Sequence, residues 1–338
     1  MSTEAGTARS TVETWQIDSS RAPDEHIHVR ARGPRGGTPI VMVHGFFQPA
    51  SAILDVPKYS LQETLADCGF RVVLFDLRGY GLSSRPPFMA QPPEASRPSL
   101  ACMSDALADL GDVVEFVCRT EGVDRVDLFG YSWGTARSAG FAVAAPDRVR
   151  RLVLYAPVWR PASGAAAEAV DPERAGVLNP VLAGYRVFAP GDLARQWDAE
   201  IGSRDTHAFR DAEVLQAAEH ALLASDAALQ GRGYRAPLGP MLDALKVIQG
   251  TPLFDAERLD CDTLLVRGDC DRLSSTSDAA GLLCALRSAN KRLVTIGHGT
   301  HLLHLEHARR QLVDEVVGFL AASGDESQPA HPFPRRQP

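Results

Sequence analysis

A serine with glycines two positions to either side, Gly130-Tyr131-Ser132-Trp133-Gly134, is the strongest candidate in this chain for covalent chemistry. It follows the apolar run Val126 to Phe129 and precedes the small residues Thr135 and Ala136, which open a helical pattern to Ala145. A strand that turns sharply into a helix holds its central residue in a strained backbone conformation, and side chains at the flanking positions must then be nearly absent. The serine oxygen is thereby lifted above the sheet. A hydroxyl is a poor nucleophile until a base takes its proton, so a histidine held in one tautomer by a carboxylate is expected downstream. Two loops offer candidates: Gly268-Asp269-Cys270-Asp271, after the run Thr263 to Arg267, and Gly297-His298-Gly299-Thr300-His301, after Arg292 to Ile296. Serine, then aspartate, then histidine is the chain order of nucleophile, acid and base.

The negative oxygen of a tetrahedral intermediate needs donors fixed in advance. His44-Gly45-Phe46-Phe47, at the end of the run Ile40 to Val43, can aim the backbone N–H of Phe46 at the space above Ser132, and the amide of Trp133 supplies the second donor. His44 reads as a structural residue hydrogen-bonded to nearby backbone. Phe47, Tyr131 and Trp159 are candidate substrate-binding residues, with Trp197 further along, and they point to an apolar acyl or ring-bearing substrate. His298, His301, His304 and His307 step by three, yet no Cys or Asp completes a familiar ligand pattern, so neither metal nor cofactor is expected.

These loops need a scaffold. Short β-branched, mainly apolar runs at Ile40 to Val43, Val72 to Phe75, Val126 to Phe129, Leu152 to Tyr155, Thr263 to Arg267 and Arg292 to Ile296 read as parallel strands buried on both faces. Helical patterns lie between them, with apolar steps of three and four from Met103 to Val117 and from Leu305 to Leu320. The fold class is α/β, a doubly wound, mostly parallel sheet. Over residues 159–255 the strand signal gives way to Ala-rich helical segments, notably Asp211 to Ser225 and Pro240 to Ile248, which predicts a helical cap over the carboxyl ends of the strands. The core then comprises residues 21–158 and 256–322, between a flexible N-terminus over 1–20 and a Pro-rich, disordered tail over 323–338.

The 338 residues are 45% hydrophobic with a formal net charge of −7, which disfavours nucleic acid or an anionic membrane as the main partner and leaves a small apolar molecule. Six cysteines without a CxxC pair, no charged leader with an apolar run, and no long uncharged apolar stretch point to a reduced, cytoplasmic protein, monomer or homodimer.

From about Ile27 to Ala321, outside the insertion, the chain resembles the α/β-hydrolase superfamily. In that family the acid commonly ends a GxxD loop, which matches Asp271 better than Asp269. The base often opens H-x-x-x-x-E, which His301 to Glu306 fit, whereas His298 has Leu303 where the glutamate should stand. The resemblance therefore implies Ser132, Asp271 and His301 as the triad of a serine hydrolase acting on an ester, thioester or lactone. Asp76-Leu77-Arg78-Gly79-Tyr80-Gly81-Leu82-Ser83 also looks like a family signature, a turn that Asp76 and Arg78 would tie by ion pairing. With Gly-x-Ser-Trp-Gly it is similar to proline iminopeptidases, but those usually carry His-Gly-Gly-Pro-Gly where this chain has His44-Gly45-Phe46-Phe47-Gln48. Carbon–carbon bond hydrolases, acyltransferases and lyases on the same triad resemble it too. A ligand-binding protein on the same fold, without chemistry, is the alternative of another class; retention of each triad type in order argues against it.

Overall fold

The computed structural model describes residues 11–160 and 164–322. Each run becomes a strand, β3 (Pro39–Val43), β4 (Arg71–Asp76), β5 (Val126–Tyr131), β6 (Val149–Tyr155), β11 (Asp262–Gly268) and β12 (Lys291–Ile296), and all but the edge strand β12 are buried. They pair in the order β4-β3-β5-β6-β11-β12, all parallel. Side chains alternate between two cores: Ile40, Met42, Phe129 and Val266 face one, Val41, Val43, Leu128 and Leu265 the other. Burial on both faces of the inner strands is why they read as mainly apolar runs.

Helices α1 (Ala50–Ile53), α2 (Leu61–Asp67) and α9 (Arg309–Ala321) cover one face, and α3 (Met103–Glu121), α4 (Trp133–Ala144) and α8 (Thr276–Ala285) the other. Helix α2 begins at Ser60, whose hydroxyl accepts from the Glu63 N–H at 2.8 Å, and α3 ends at Gly122 with φ of 69°.

Two more strands complete the eight-stranded sheet. Residues 13–19, expected to belong to a flexible N-terminus, form β1 (Glu13–Ser19), which pairs antiparallel with β2 (Ala22–Arg32), itself antiparallel to β4. The polar residues of β1 alternate outward while Trp15 and Ile17 pack inward, a half-solvated strand whose composition resembles a loop. The expected tail over 323–338 and residues 1–10 lie outside the described residues.

The insertion is mixed rather than purely helical. It carries α5 (Asp192–Ile201), α6 (Ala212–Ala224) and α7 (Pro240–Ile248), but also β7 (Val170–Asp171) paired with β8 (Arg174–Leu178), and β9 (Tyr185–Phe188) paired with β10 (Tyr234–Pro237). Strands of two to five residues are too short to show a period. Among the described residues no helix is long and apolar enough to cross a membrane.

Asp76 and Arg78 tie their turn, though not to each other. Arg78 pairs with Asp109 at 2.8 Å and Glu25 at 2.9 Å, while Asp76 accepts from Ser51 Oγ at 2.6 Å and the Leu82 N–H at 3.1 Å.

Candidate active site

Residues Val43 and Gly130 are register partners, as are Tyr131 and Tyr155, and Gly268 and Ile296, so the loops after β3, β5, β11 and β12 meet at one edge of the sheet. Ser132 stands where β5 breaks into α4, at φ 55° and ψ −125°. A Cβ on Gly130 would come within 2.5 Å of the Gly134 carbonyl oxygen, and one on Gly134 within 2.1 Å of the Val43 carbonyl oxygen. Both contacts are shorter than real Cβ atoms permit, so the turn exists only with glycine at these two places.

The acid and base loops lie backbone against backbone. A Cβ on Gly268 would be 2.1 Å from the Gly299 oxygen, and the Cys270 N–H donates to that same oxygen at 2.8 Å. Of the two candidate pairs the structure brings Asp271 and His301 to Ser132. His301 Nε2 is 2.8 Å from Ser132 Oγ, and its Nδ1 is 3.0 Å from each Asp271 oxygen. Asp271 is held in turn by the N–H groups of Leu273 and Ser274, at 2.9 and 2.8 Å. Asp269 is exposed and accepts instead from the Gly299 N–H at 3.1 Å, and His298 is exposed at φ 56°.

Burial works against a proton on His301, but the Asp271 carboxylate overrides it by charge and hydrogen bonding, helped by Glu200 and Glu306, so the imidazole pKa is raised above the ordinary value. Glu306, the last position of the H-x-x-x-x-E frame, is fully buried and braces the base loop: it accepts from Thr300 N–H at 2.8 Å, Thr300 Oγ1 at 2.5 Å and the cap's Trp197 Nε1 at 2.7 Å. The other histidines diverge. His304 is pinned between Tyr155 Oη at 3.2 Å and the Ile53 carbonyl at 3.1 Å, its pKa lowered to about 3 chiefly by burial, and His307 turns to the His207 carbonyl. Among the described residues no cluster of metal-ligating side chains occurs.

The two candidate oxyanion amides are aimed by their own carbonyls. With no cis peptide among the described residues, C=O and N–H of one peptide unit point in opposite directions. The Gly45 carbonyl accepts from His44 Nδ1 and from Arg137 Nη1, each at 2.9 Å, which turns the Phe46 N–H away from them. The Ser132 carbonyl accepts from Thr135 N–H at 2.9 Å and Thr135 Oγ1 at 2.5 Å, which turns the Trp133 N–H the other way, at the start of α4. Neither amide has an acceptor among the described residues. A Cβ on Gly45 would lie 3.4 Å from Ser132 Oγ, so the loop passes directly by Ser132. His44 is structural: its Nε2 accepts from the Leu77 N–H at 3.1 Å, and burial, with Arg137 adding to it, lowers its pKa to about 3. Arg137 is fully buried, and its guanidinium donates to the carbonyls of His44, Gly45 and Ala101.

A cavity of about 250 Å³ opens onto Ser132 and His301. Phe46, Phe47, Tyr131 and Trp133 line it, with Gln48, Val158 and Leu273 beside them and Gln196, Ala199 and Glu200 of α5 opposite. Phe46 and Phe47 stack at 4.1 Å. Trp159 is not part of this wall. Its Nε1 donates to the Phe254 carbonyl at 3.2 Å and its N–H to Asp278 at 2.9 Å, because the chain leaving β6 turns toward α8 before it enters the insertion. Sequence reasoning missed Arg137 and the α5 residues. Arg137 left a trace, as the one charge in the helix Trp133–Ala144, whereas Gln196, Ala199 and Glu200 carry no motif.

Residues 38–308 match the family model described as alpha/beta hydrolase fold. The chain is 34% identical over 126 residues to 2-hydroxy-6-oxo-2,4-heptadienoate hydrolase of Pseudomonas putida, covering 36% of this chain and 38% of that one. It is 32% identical over 121 residues to human (lyso)-N-acylphosphatidylethanolamine lipase, covering 36% of this chain and 30% of that protein. The matches thus span about a third of these relatives' length. The solved 2-hydroxy-6-oxo-6-phenylhexa-2,4-dienoate hydrolase of Rhodococcus superposes with a TM-score of 0.58 at 18% identity, over 93% of this chain and all of that one, a likeness of fold alone.

Proposed function

The chain belongs to the alpha/beta hydrolase family, and from that premise we propose that it is a serine hydrolase cleaving an ester, thioester or lactone of a small apolar substrate through an acyl-enzyme. One observation carries the reading: the imidazole of His301 lies within hydrogen-bond reach of Ser132 Oγ on one side and Asp271 on the other. His301 takes the Ser132 proton as Ser132 attacks the carbonyl carbon, and the amides of Phe46 and Trp133 receive the negative oxygen. Asp271 keeps Nδ1 protonated and stabilises the imidazolium. Collapse of the intermediate expels the leaving group, which takes the proton from Nε2. Water then attacks the acyl-enzyme with His301 again as base, and the acid is released.

The test is covalent labelling with a fluorophosphonate and mapping of the adduct, set beside turnover of p-nitrophenyl esters of increasing chain length and of a prolyl anilide. We expect the label on Ser132 and preference for short and medium acyl esters. A protein that takes up no label is a binder rather than a hydrolase, and turnover of the anilide alone would move the reading to an aminopeptidase.

Arg137 should matter to kcat without touching substrate. Its guanidinium holds the carbonyl of the peptide whose N–H is the Phe46 donor, fixing and polarising that donor. Arg137→Met should lower kcat about ten- to a hundredfold, less than the ~10²–10³ of deleting an oxyanion donor outright. KM should change little, and Arg137→Lys should recover part of the loss. Steady-state kinetics of both variants, with thermal melts, separates this from a purely structural role, for which kcat would not change.

A further inference from the structure

The cavity has two unlike walls. Phe46, Phe47 and Trp133 make the oxyanion side apolar, while Gln196, Ala199 and Glu200, three and four residues apart on α5, present one helix face from the cap. The adjoining face of α5, Leu193, Trp197 and Ile201, is packed in the core, which fixes the helix in rotation. Glu200 is only 7% exposed. One carboxylate oxygen, Oε2, accepts from the Arg272 N–H at 2.9 Å. The other, Oε1, has no hydrogen-bond partner among the described residues, and Glu200 is part of the cavity wall.

Two positive groups act on Glu200, the Arg272 guanidinium and His301 when protonated, but neither side chain hydrogen-bonds to this oxygen. Among the described residues no lysine or arginine lines the cavity. The guanidinium of Arg267 serves the carbonyls of Asp271 and Ser274, at 2.8 and 2.9 Å, and that of Arg272 reaches the Ala199 carbonyl at the surface. The charged neighbours that act on His301 from this side, Asp271, Glu200 and Glu306, are all acidic. A buried carboxylate with a free oxygen in such surroundings attracts a cation and repels an anion.

We propose that the cavity takes a substrate bearing an ammonium group, received by Glu200 Oε1 while the apolar remainder packs on Phe46, Phe47 and Trp133. The proposal deepens the reading of a serine hydrolase and rests on it for the acyl bond to be cut. It sets this chain apart in charge preference from relatives named for dienoates, since a carboxylate substrate would meet Glu200 with no lysine or arginine in the cavity wall to receive it.

Calorimetric titration with hexylammonium, hexanol and hexanoate tests the proposal without turnover. The wild type should bind hexylammonium about ten- to a hundredfold more tightly than hexanol, the range of a charge-assisted hydrogen bond, and hexanoate most weakly. Hexylammonium should also slow fluorophosphonate labelling of Ser132. Glu200→Gln keeps an oxygen for the Arg272 N–H but loses the charge, so hexylammonium should fall to about the affinity of hexanol while hexanol itself still binds. Equal binding of hexylammonium and hexanol by the wild type would overturn the proposal, as would a preference that survives in Glu200→Gln or ammonium binding that leaves the labelling rate unchanged. If Ser132 takes no label at all, it is the hydrolase reading that fails; the wild-type order of the three affinities still decides whether the cavity selects cations.

Discussion

Ser132→Ala should lower turnover of a p-nitrophenyl ester by about three to six orders of magnitude and abolish fluorophosphonate labelling, because no other hydroxyl replaces Oγ above the sheet. The fold should hardly notice. The side chain gives up one hydrogen bond, to His301 Nε2, and a water can take its place, so the stability change should be about 1 kcal/mol or less. A second substitution separates chemistry from strain. Ser132 sits at φ 55° and ψ −125°, a conformation costing roughly 1–3 kcal/mol for any residue with a Cβ. Ser132→Gly is therefore expected to be as inactive as Ser132→Ala but to melt at a higher temperature, by about 1 kcal/mol of stability after glycine's greater unfolded-state entropy is set against the relief. Thermal melts of the three proteins check this. A glycine variant less stable than the alanine variant would mean that the turn is not strained, and turnover near the wild-type rate in either variant would remove Ser132 as nucleophile.

The strands and the elbow were legible because their physics leaves little choice of residue. A parallel strand covered on both faces has few polar positions to spare, and a turn in which Cβ atoms would meet carbonyl oxygens admits only glycine. Residues 13–19 misled for the converse reason: a strand with one face in water spends alternate positions on Thr14, Gln16 and Asp18, and its composition is that of a loop. The short strands of the insertion were hidden by length. Trp159 was placed near the site because it closely follows β6, but the direction in which a chain leaves a strand is set by tertiary contacts, here with Asp278 and Phe254, which no local pattern encodes. Glu200 belongs to the same class. Its chemistry depends on the rotation of α5 against the core, and that rotation depends on the packing of Trp197 and on its bond to Glu306, 109 residues further along.

The base and the acid give the second large effect, and here paired substitutions discriminate. His301→Ala should lower turnover by several orders of magnitude, whereas His298→Ala, in an exposed side chain away from Ser132, should cost only a fewfold. Asp271→Asn should cost about 10⁴-fold by disturbing the tautomer and orientation of His301. Asp269→Asn weakens one hydrogen bond to the Gly299 N–H and should be mild. The pH dependence shows why the first two belong together. His301 acts as a base only when neutral, so activity rises with pH as the imidazolium loses its proton, and the midpoint of that limb should lie above the ordinary histidine value because Asp271, Glu200 and Glu306 favour the charged form. Removing the Asp271 charge leaves burial as the stronger influence, and burial favours the neutral ring; the limb should therefore move to lower pH in Asp271→Asn even as the plateau falls. The rate of fluorophosphonate labelling across pH reads limb and plateau together in variants too slow for steady-state assays. An unshifted limb in Asp271→Asn, or equal damage from Asp269→Asn, would mean that the carboxylate beside His301 is not the group that governs it.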